Sequence, residues 1–284
     1  MPSEVNRHGL SRDIPEDIKR KIRQACRFGC VRCGFAIVQY EHIDPEFKDA
    51  KEHDPERMAL LCGSCEDQVS KGLLSKETVK EARTKPWALT KGRNHAAFDL
   101  SGSTINVRVG SVHFPTVPSV INVDGIRLLS IEEPEQSGGP FRISGDFHDD
   151  KGDLLFRITK NEWSGEAKNW DMETRGRRII IRTKGRKIGL QILCVPPDGL
   201  VIERLDMASG KTRVVVDKGV WSVATESGAR ANLSGVSFVA QERIDILITG
   251  GRGIRITGGS KRFSMIVGGG GSIIVGGGGA PPAG

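Results

Sequence analysis

Residues 30–65 read CVRCGFAIVQYEHIDPEFKDAKEHDPERMALLCGSC, a stretch that begins and ends on a Cys-x-x-Cys pair. Such a turn lets two sulfurs face one ion, and two turns supply the four thiolates of a tetrahedral zinc site. Cys30, Cys33, Cys62 and Cys65 are therefore expected to bind one structural Zn2+. Four thiolates leave no open coordination position, so the ion should hold the fold together, and any chemistry must come from residues it positions. The two remaining cysteines, Cys26 and Cys194, read as small buried residues.

The flanks of this stretch are helical in pattern. In DIPEDIKRKIRQACR, residues 13–27, Ile14, Ile18, Ile22 and Cys26 fall at helical spacing, with Asp13 placed as N-cap and Pro15 in the first turn. Beyond the second pair, Ser75 reads as the N-cap of a helix that should end before Pro86. Residues 1–95 thus form a small metal-stapled module of helix and loop.

From about Phe98 the apolar period changes to two, as in TINVRV, FRISGDF, DLLFRIT, RRIIIRT, LVIERLDM and TRVVVD, with Gly, Asp and Pro turns between. The DDKGD turn at 149–153 is the clearest hairpin. No helical pattern intervenes to build parallel βαβ units, so residues 96–225 are expected to be a larger, mainly antiparallel β domain, a sandwich or a small barrel. Residues 226–284 repeat a theme: ILITGG, IRITGG, MIVGGGG, IIVGGGG. This Gly-rich C-terminal region reads either as stacked short strands that could join subunits into a homo-oligomer, or as a flexible tail. The fold class expected for the whole chain is α+β.

The chain of 284 residues is long enough for two domains, and its net charge of +7 permits an acidic partner without requiring one. The first 95 residues carry only a slight basic excess, so charge is not concentrated around the cysteines. No run approaches a membrane span and the first thirty residues lack an apolar leader core, which predicts a cytoplasmic protein with no membrane partner. Trp163 and Trp170 read as core, and the basic run from Arg175 to Lys187 as a solvated hairpin.

Between the cysteine pairs lies Tyr40-Glu41-His42-Ile43-Asp44-Pro45, and here the sequence resembles the HNH endonucleases. Many members pair two such knuckles with an acidic residue and a histidine, then an aliphatic residue and often proline, on the first strand of a treble-clef, ββα-metal hairpin. The segment ERMALLCGSCEDQVSKG corresponds to the family's later part, and the resemblance covers about residues 12–75. It implies an HNH-like nuclease that hydrolyses DNA phosphodiester bonds with one catalytic Mg2+ or Mn2+. By position, His42 is then the general base, Glu41 a metal ligand, and Lys71 a contact to the nucleic acid. The family's histidine after the second knuckle is Glu66 here, which could still ligate the ion. Its asparagine before the apolar run is Arg57, which could touch phosphate but cannot orient a base as an amide does. His53 reads as a histidine structuring the loop before Pro55 rather than as a ligand. A second reading keeps the zinc-stapled scaffold without catalysis, as a DNA- or protein-binding or assembly module.

Overall fold

The computed structural model describes residues 5–116, 118–240, 243–250, 253–258 and 263–276. The chain is α+β and mainly strand, and it divides into two compact units, Met1–Ala96 with Ser164–Thr174, and Ala97–Trp163 with Arg175–Gly284. No helix among the described residues is long and apolar enough to cross a membrane.

The first unit is built on a short two-stranded sheet. Helix α1 (Glu16–Ala25) leads to the first cysteine pair, then strand β1 (Gln39–His42), strand β2 (Met58–Leu61) and helix α2 (Gly63–Ser70) follow. Strands β1 and β2 pair antiparallel, with Glu41 opposite Ala59 and His42 opposite Met58. Every residue of β2 is buried, because α1 packs against it and so does α3 (Lys76–Thr84). Ile22, Cys26, Val31, Ile43 and Val79 join β2 in the core. Ser75 caps α3 as expected, its hydroxyl accepting from the Thr78 amide at 3.1 Å. The cap of α1 differs from expectation: Pro15, whose ring fixes a suitable φ and lacks an N–H to satisfy, occupies the N-cap position, and Asp13 lies outside the helix.

Residues 164–174, which the alternation pattern assigns to the β domain, belong instead to the first unit. Gly165 donates to Asn94 Oδ1 at 2.8 Å while Asn94 Nδ2 donates to the Phe28 carbonyl at 2.8 Å. Asp171 takes both prongs of the buried Arg23 guanidinium. Period-two alternation says that a segment is extended and nothing about which partner pairs with it.

The second unit contains a closed ring of six strands. Its order is Asn106–Val109, Val112–Pro115, Arg230–Ala240, Val220–Thr225, Thr212–Asp217 and Gly199–Ser209, which returns to Asn106–Val109. Buried Val107, Phe114, Ile202, Val214, Trp221 and Phe238 contribute to the core of this unit, with Phe114 and Phe238 stacked at 5.0 Å. Closure brings backbones very close at one seam: a Cβ on Gly199 would lie 1.9 Å from the Asn106 carbonyl oxygen, so only glycine fits. The other sheet orders Gly253–Gly258, Ile244–Thr249, Ser119–Val123, Ile126–Glu132, Arg142–His148 and Leu154–Thr159. Asp149 closes the last hairpin by accepting from the Lys151 and Asp153 amides, both at 2.9 Å.

Among the described residues the strands pair antiparallel in most places, but three strand pairs are parallel, and each joins strands far apart in sequence. The first two glycine-punctuated units pair with each other as antiparallel neighbours, Ile244–Thr249 along Gly253–Gly258, in place of a solenoid's parallel stack. Ile244–Thr249 pairs in parallel with Ser119–Val123, and Phe263–Gly276 lies antiparallel along Arg230–Ala240. The part of the predicted Gly-rich tail after Gly276 lies outside the described residues. Trp163 is core, ringed by Phe156 at 5.3 Å and Phe98 at 6.0 Å, whereas Trp170 is half-buried under the Arg20 guanidinium. Cys26 is buried, but Cys194 is only half-buried, and burial still pushes its thiol up to about 11.

Candidate functional site

The four knuckle cysteines converge. Cys30 and Cys33 lie on the turn after α1, Cys62 is the N-cap of α2, and Cys65 sits in the first turn of that helix. Their sulfurs all fall within 4.8 Å of one another, with Cys33 Sγ 3.6 Å from Cys62 Sγ and 3.9 Å from Cys65 Sγ. Gly34 turns the first knuckle with φ of 79°, and a Cβ there would also drive into the Trp87 ring at 2.0 Å. The Val31 amide bonds to the Leu60 carbonyl at 3.0 Å, which ties that knuckle to β2.

The thiols interact strongly. A hydrogen bond from Cys33 lowers Cys30 to about 5, helped by backbone amides of Cys62, Cys33 and Arg32, while burial opposes it. The same hydrogen bond raises Cys33, and burial with the Cys30 charge pushes Cys65 up to about 12. Sulfurs this close resist becoming thiolates together unless a cation neutralises them, so this donor set can hold one metal ion. Among the described residues it is the group whose donor atoms close to metal-binding distance.

A cleft of about 460 Å3 opens between the end of β1 and helix α2. Glu41, His42 and Glu66, singled out from the sequence, all line it. Glu41 lies on β1 and its carboxyl is raised above the ordinary value, first by burial and then by the charge of Glu66. Glu66 Oε1 accepts from the Ser70 hydroxyl one helical turn on, at 2.9 Å. His42 ends β1 beside the Phe47 ring, and burial, followed by His53 and Arg12, holds its imidazole down at about 4. The ring is therefore neutral at pH 7.

Three cations stand round the same cleft: Arg12, Lys48 and Lys76, the two lysines sharing Glu46 at 2.9 and 2.6 Å. None was legible as a site residue, because each comes from a segment with no motif of its own. The segment before α1 acts as a strap across the loop joining β1 to β2. Asn6 Nδ2 donates to the Phe47 carbonyl at 2.5 Å and to the Ala50 carbonyl at 2.7 Å, and the Arg12 guanidinium lies 4.6 Å over the Phe47 ring. The Ser11 carbonyl lies 2.9 Å from His53 Nε2, and His53 Nδ1 lies 3.3 Å from His42 Nε2. His53 thus contacts the site directly, more than a loop-structuring role requires.

The two residues expected to meet nucleic acid are placed apart from this cleft. Arg57 is 62% exposed, pairs with Asp54 at 3.5 Å, and lines a separate depression on the other side of His42. Lys71 is exposed near the end of α2, pairs with Asp67 at 2.8 Å, and is not among the cleft-lining residues. In the second unit, two members of the basic run pair with carboxylates of their own sheet, Arg178 with Glu203 at 2.8 Å and Lys187 with Asp206. Comparison with known proteins finds no family model, no curated protein and no solved structure that matches this chain.

Proposed function

We propose that the first unit is an HNH-type nuclease module that hydrolyses DNA phosphodiester bonds, stapled by one zinc ion on Cys30, Cys33, Cys62 and Cys65. The observation that carries the reading is the convergence of Glu41, His42 and Glu66 on one cleft, within a β–β–α element whose helix begins at the second cysteine pair. Tetrahedral zinc with bonds of about 2.3 Å separates its sulfurs by roughly 3.8 Å. The 3.6 and 3.9 Å separations of Cys33 from Cys62 and Cys65 fit that requirement.

His42 is suited to take a proton from water, because its neutral form dominates at physiological pH. Glu41 and Glu66 are the carboxylates that would hold a hard divalent ion, and their mutual repulsion is what such a cation relieves. When bound, Mg2+ or Mn2+ supplies charge stabilisation for the phosphate and leaving oxygen. Two carboxylates alone do not close a cage, which suits an ion that keeps several waters and takes phosphate oxygens. Arg12, Lys48 and Lys76 offset the charge of the nucleic-acid backbone at the rim. The β unit would then serve specificity, docking or oligomerisation.

The test is plasmid nicking by the zinc-loaded protein with Mg2+, Mn2+ or EDTA, beside His42→Ala. Metal-dependent nicking that disappears in the variant, with zinc content unchanged, is the expected result. Undiminished cutting by His42→Ala would overturn the assignment. The replacement of the family's histidine and asparagine by Glu66 and Arg57 favours a second reading, a non-catalytic zinc-stapled module that binds DNA or a protein. An absence of cutting with every metal, from folded protein, would select it.

A further inference from the structure

His53 sits between two groups of unequal hydrogen-bonding character. Its Nε2 lies 2.9 Å from the Ser11 carbonyl oxygen, and a carbonyl only accepts, so this nitrogen carries the proton. In the neutral ring the other nitrogen, Nδ1, then presents a lone pair, and it faces His42 Nε2 at 3.3 Å. That contact is a hydrogen bond only if His42 Nε2 donates. A neutral imidazole has a single N–H, so His42 is left with a bare lone pair on Nδ1. Among the described residues nothing hydrogen-bonds to that nitrogen.

We propose that His53 is a positioning residue: the chain from the Ser11 carbonyl through His53 to His42 holds the His42 ring in the Nε2–H tautomer and makes Nδ1 the one atom able to accept a proton. The inference rests on the nuclease reading for its catalytic meaning, though not for the tautomer itself.

Several features support an orienting role rather than a packing one. His53 is only half-buried, so it is not needed to fill a core. Its backbone is held in place by the next residue, because Asp54 caps the short turn Pro55–Arg57 and accepts from the Glu56 amide at 2.9 Å. The Ser11 carbonyl is held by the same strap that Asn6 ties to the loop. Arg57, on the same loop, is turned to solvent and paired with Asp54, and a guanidinium has only donors, so it could not accept from His42 Nε2–H.

The tautomer can be read without any reaction. Long-range proton–nitrogen spectra of the full-length, zinc-loaded protein with labelled histidine distinguish a protonated Nε2 from a protonated Nδ1. For His42 the expected state is protonated Nε2 in the wild type and in His53→Asn, whose Oδ1 can accept as Nδ1 does. A mixture of tautomers is expected in His53→Phe. Protonated Nδ1 on His42 in the wild type would overturn the proposal, and so would a single unchanged tautomer in His53→Phe. In cleavage assays His53→Phe should lower kcat by roughly a hundredfold at little change in KM, the size of effect that follows from a misaligned reacting group, and His53→Asn should recover most of that loss. Loss of kcat in both variants alike would also overturn it. If the wild type cuts no DNA, the nuclease reading fails while the ring spectra still decide the role of His53.

Discussion

Arg23 and Asp171 are 148 residues apart in the chain and meet as a two-pronged ion pair, Nε to Oδ1 at 2.8 Å and Nη2 to Oδ2 at 2.8 Å. Both side chains are shut away from solvent, 3% and 0% exposed, and Tyr40 accepts the third guanidinium bond at 2.9 Å. Tyr40 immediately precedes Glu41, so the pair connects the inserted segment to the strand that carries the candidate site. Without Asp171 the buried guanidinium keeps only Tyr40 and a 3.5 Å contact to Glu173 and cannot recover its hydration, and this decides the first prediction.

Asp171→Ala should destabilise the first unit by roughly 3–5 kcal/mol, the range for breaking one side of a buried pair. Urea unfolding followed through Trp87 and Trp170 measures it. A change below about 1 kcal/mol would show that the guanidinium finds water in the variant and that the pair is not structurally required.

Zinc affinity should strengthen as pH rises through neutrality. Binding needs thiolates, and the raised thiols of Cys33 and Cys65 must surrender protons to the solvent when the ion enters. Calorimetric titration in buffers of different ionisation enthalpy counts those protons directly. Removing the metal with a chelator, or replacing Cys62 by Ser, should unfold the first unit and leave the β unit folded, seen as loss of one of two thermal transitions.

Under the nuclease reading, the acid limb of kcat/KM should not be that of His42, whose imidazole is neutral above about 4 instead of above the ordinary 6.5; it should follow the metal-binding groups, the raised Glu41 carboxyl and the knuckle thiols, and so lie above pH 4. The same shift has a sign for stability. The unfolded chain takes up the proton near 6.5 and the folded one only near 4, so stability present above 6.5 is lost as pH falls through that interval. His42→Gln should flatten this part of the stability profile, as measured by urea midpoints at stepped pH.

Gly34→Ala should cost at least about 2 kcal/mol and weaken zinc binding, because left-handed backbone and overpacking each add strain. The added carbon meets the Trp87 ring at 2.0 Å, and the φ of 79° disfavours any side chain. Alanine at Gly63, where a Cβ meets nothing within 4 Å, is the matched control and should be nearly neutral. Equal melting temperatures for the two variants would contradict the account.

Much of the metal site was legible in the sequence alone because its information is local. A C-x-x-C turn brings two sulfurs together within four residues, Ser75 caps a helix through an amide three residues on, and the DDKGD turn folds on Asp149. The resemblance to the HNH endonucleases implied that Glu41 and His42 lie on the first strand of a hairpin; they lie on β1, and both line one cleft with Glu66.

What tertiary structure alone decided is everything that joins distant segments. The barrel closes by a parallel pairing of Gly199–Ser209 with Asn106–Val109, and residues 164–174 cross into the first unit to neutralise Arg23. The strap formed by Asn6, Ser11 and Arg12 reaches the loop after β1, and His53 reaches His42 while Arg57 turns outward. The physical reason is the same each time. Periodicity and capping are short-range steric and hydrogen-bonding rules, whereas an ion pair or a hydrogen bond between remote residues depends on the whole packed chain and leaves no repeating trace in the order of amino acids.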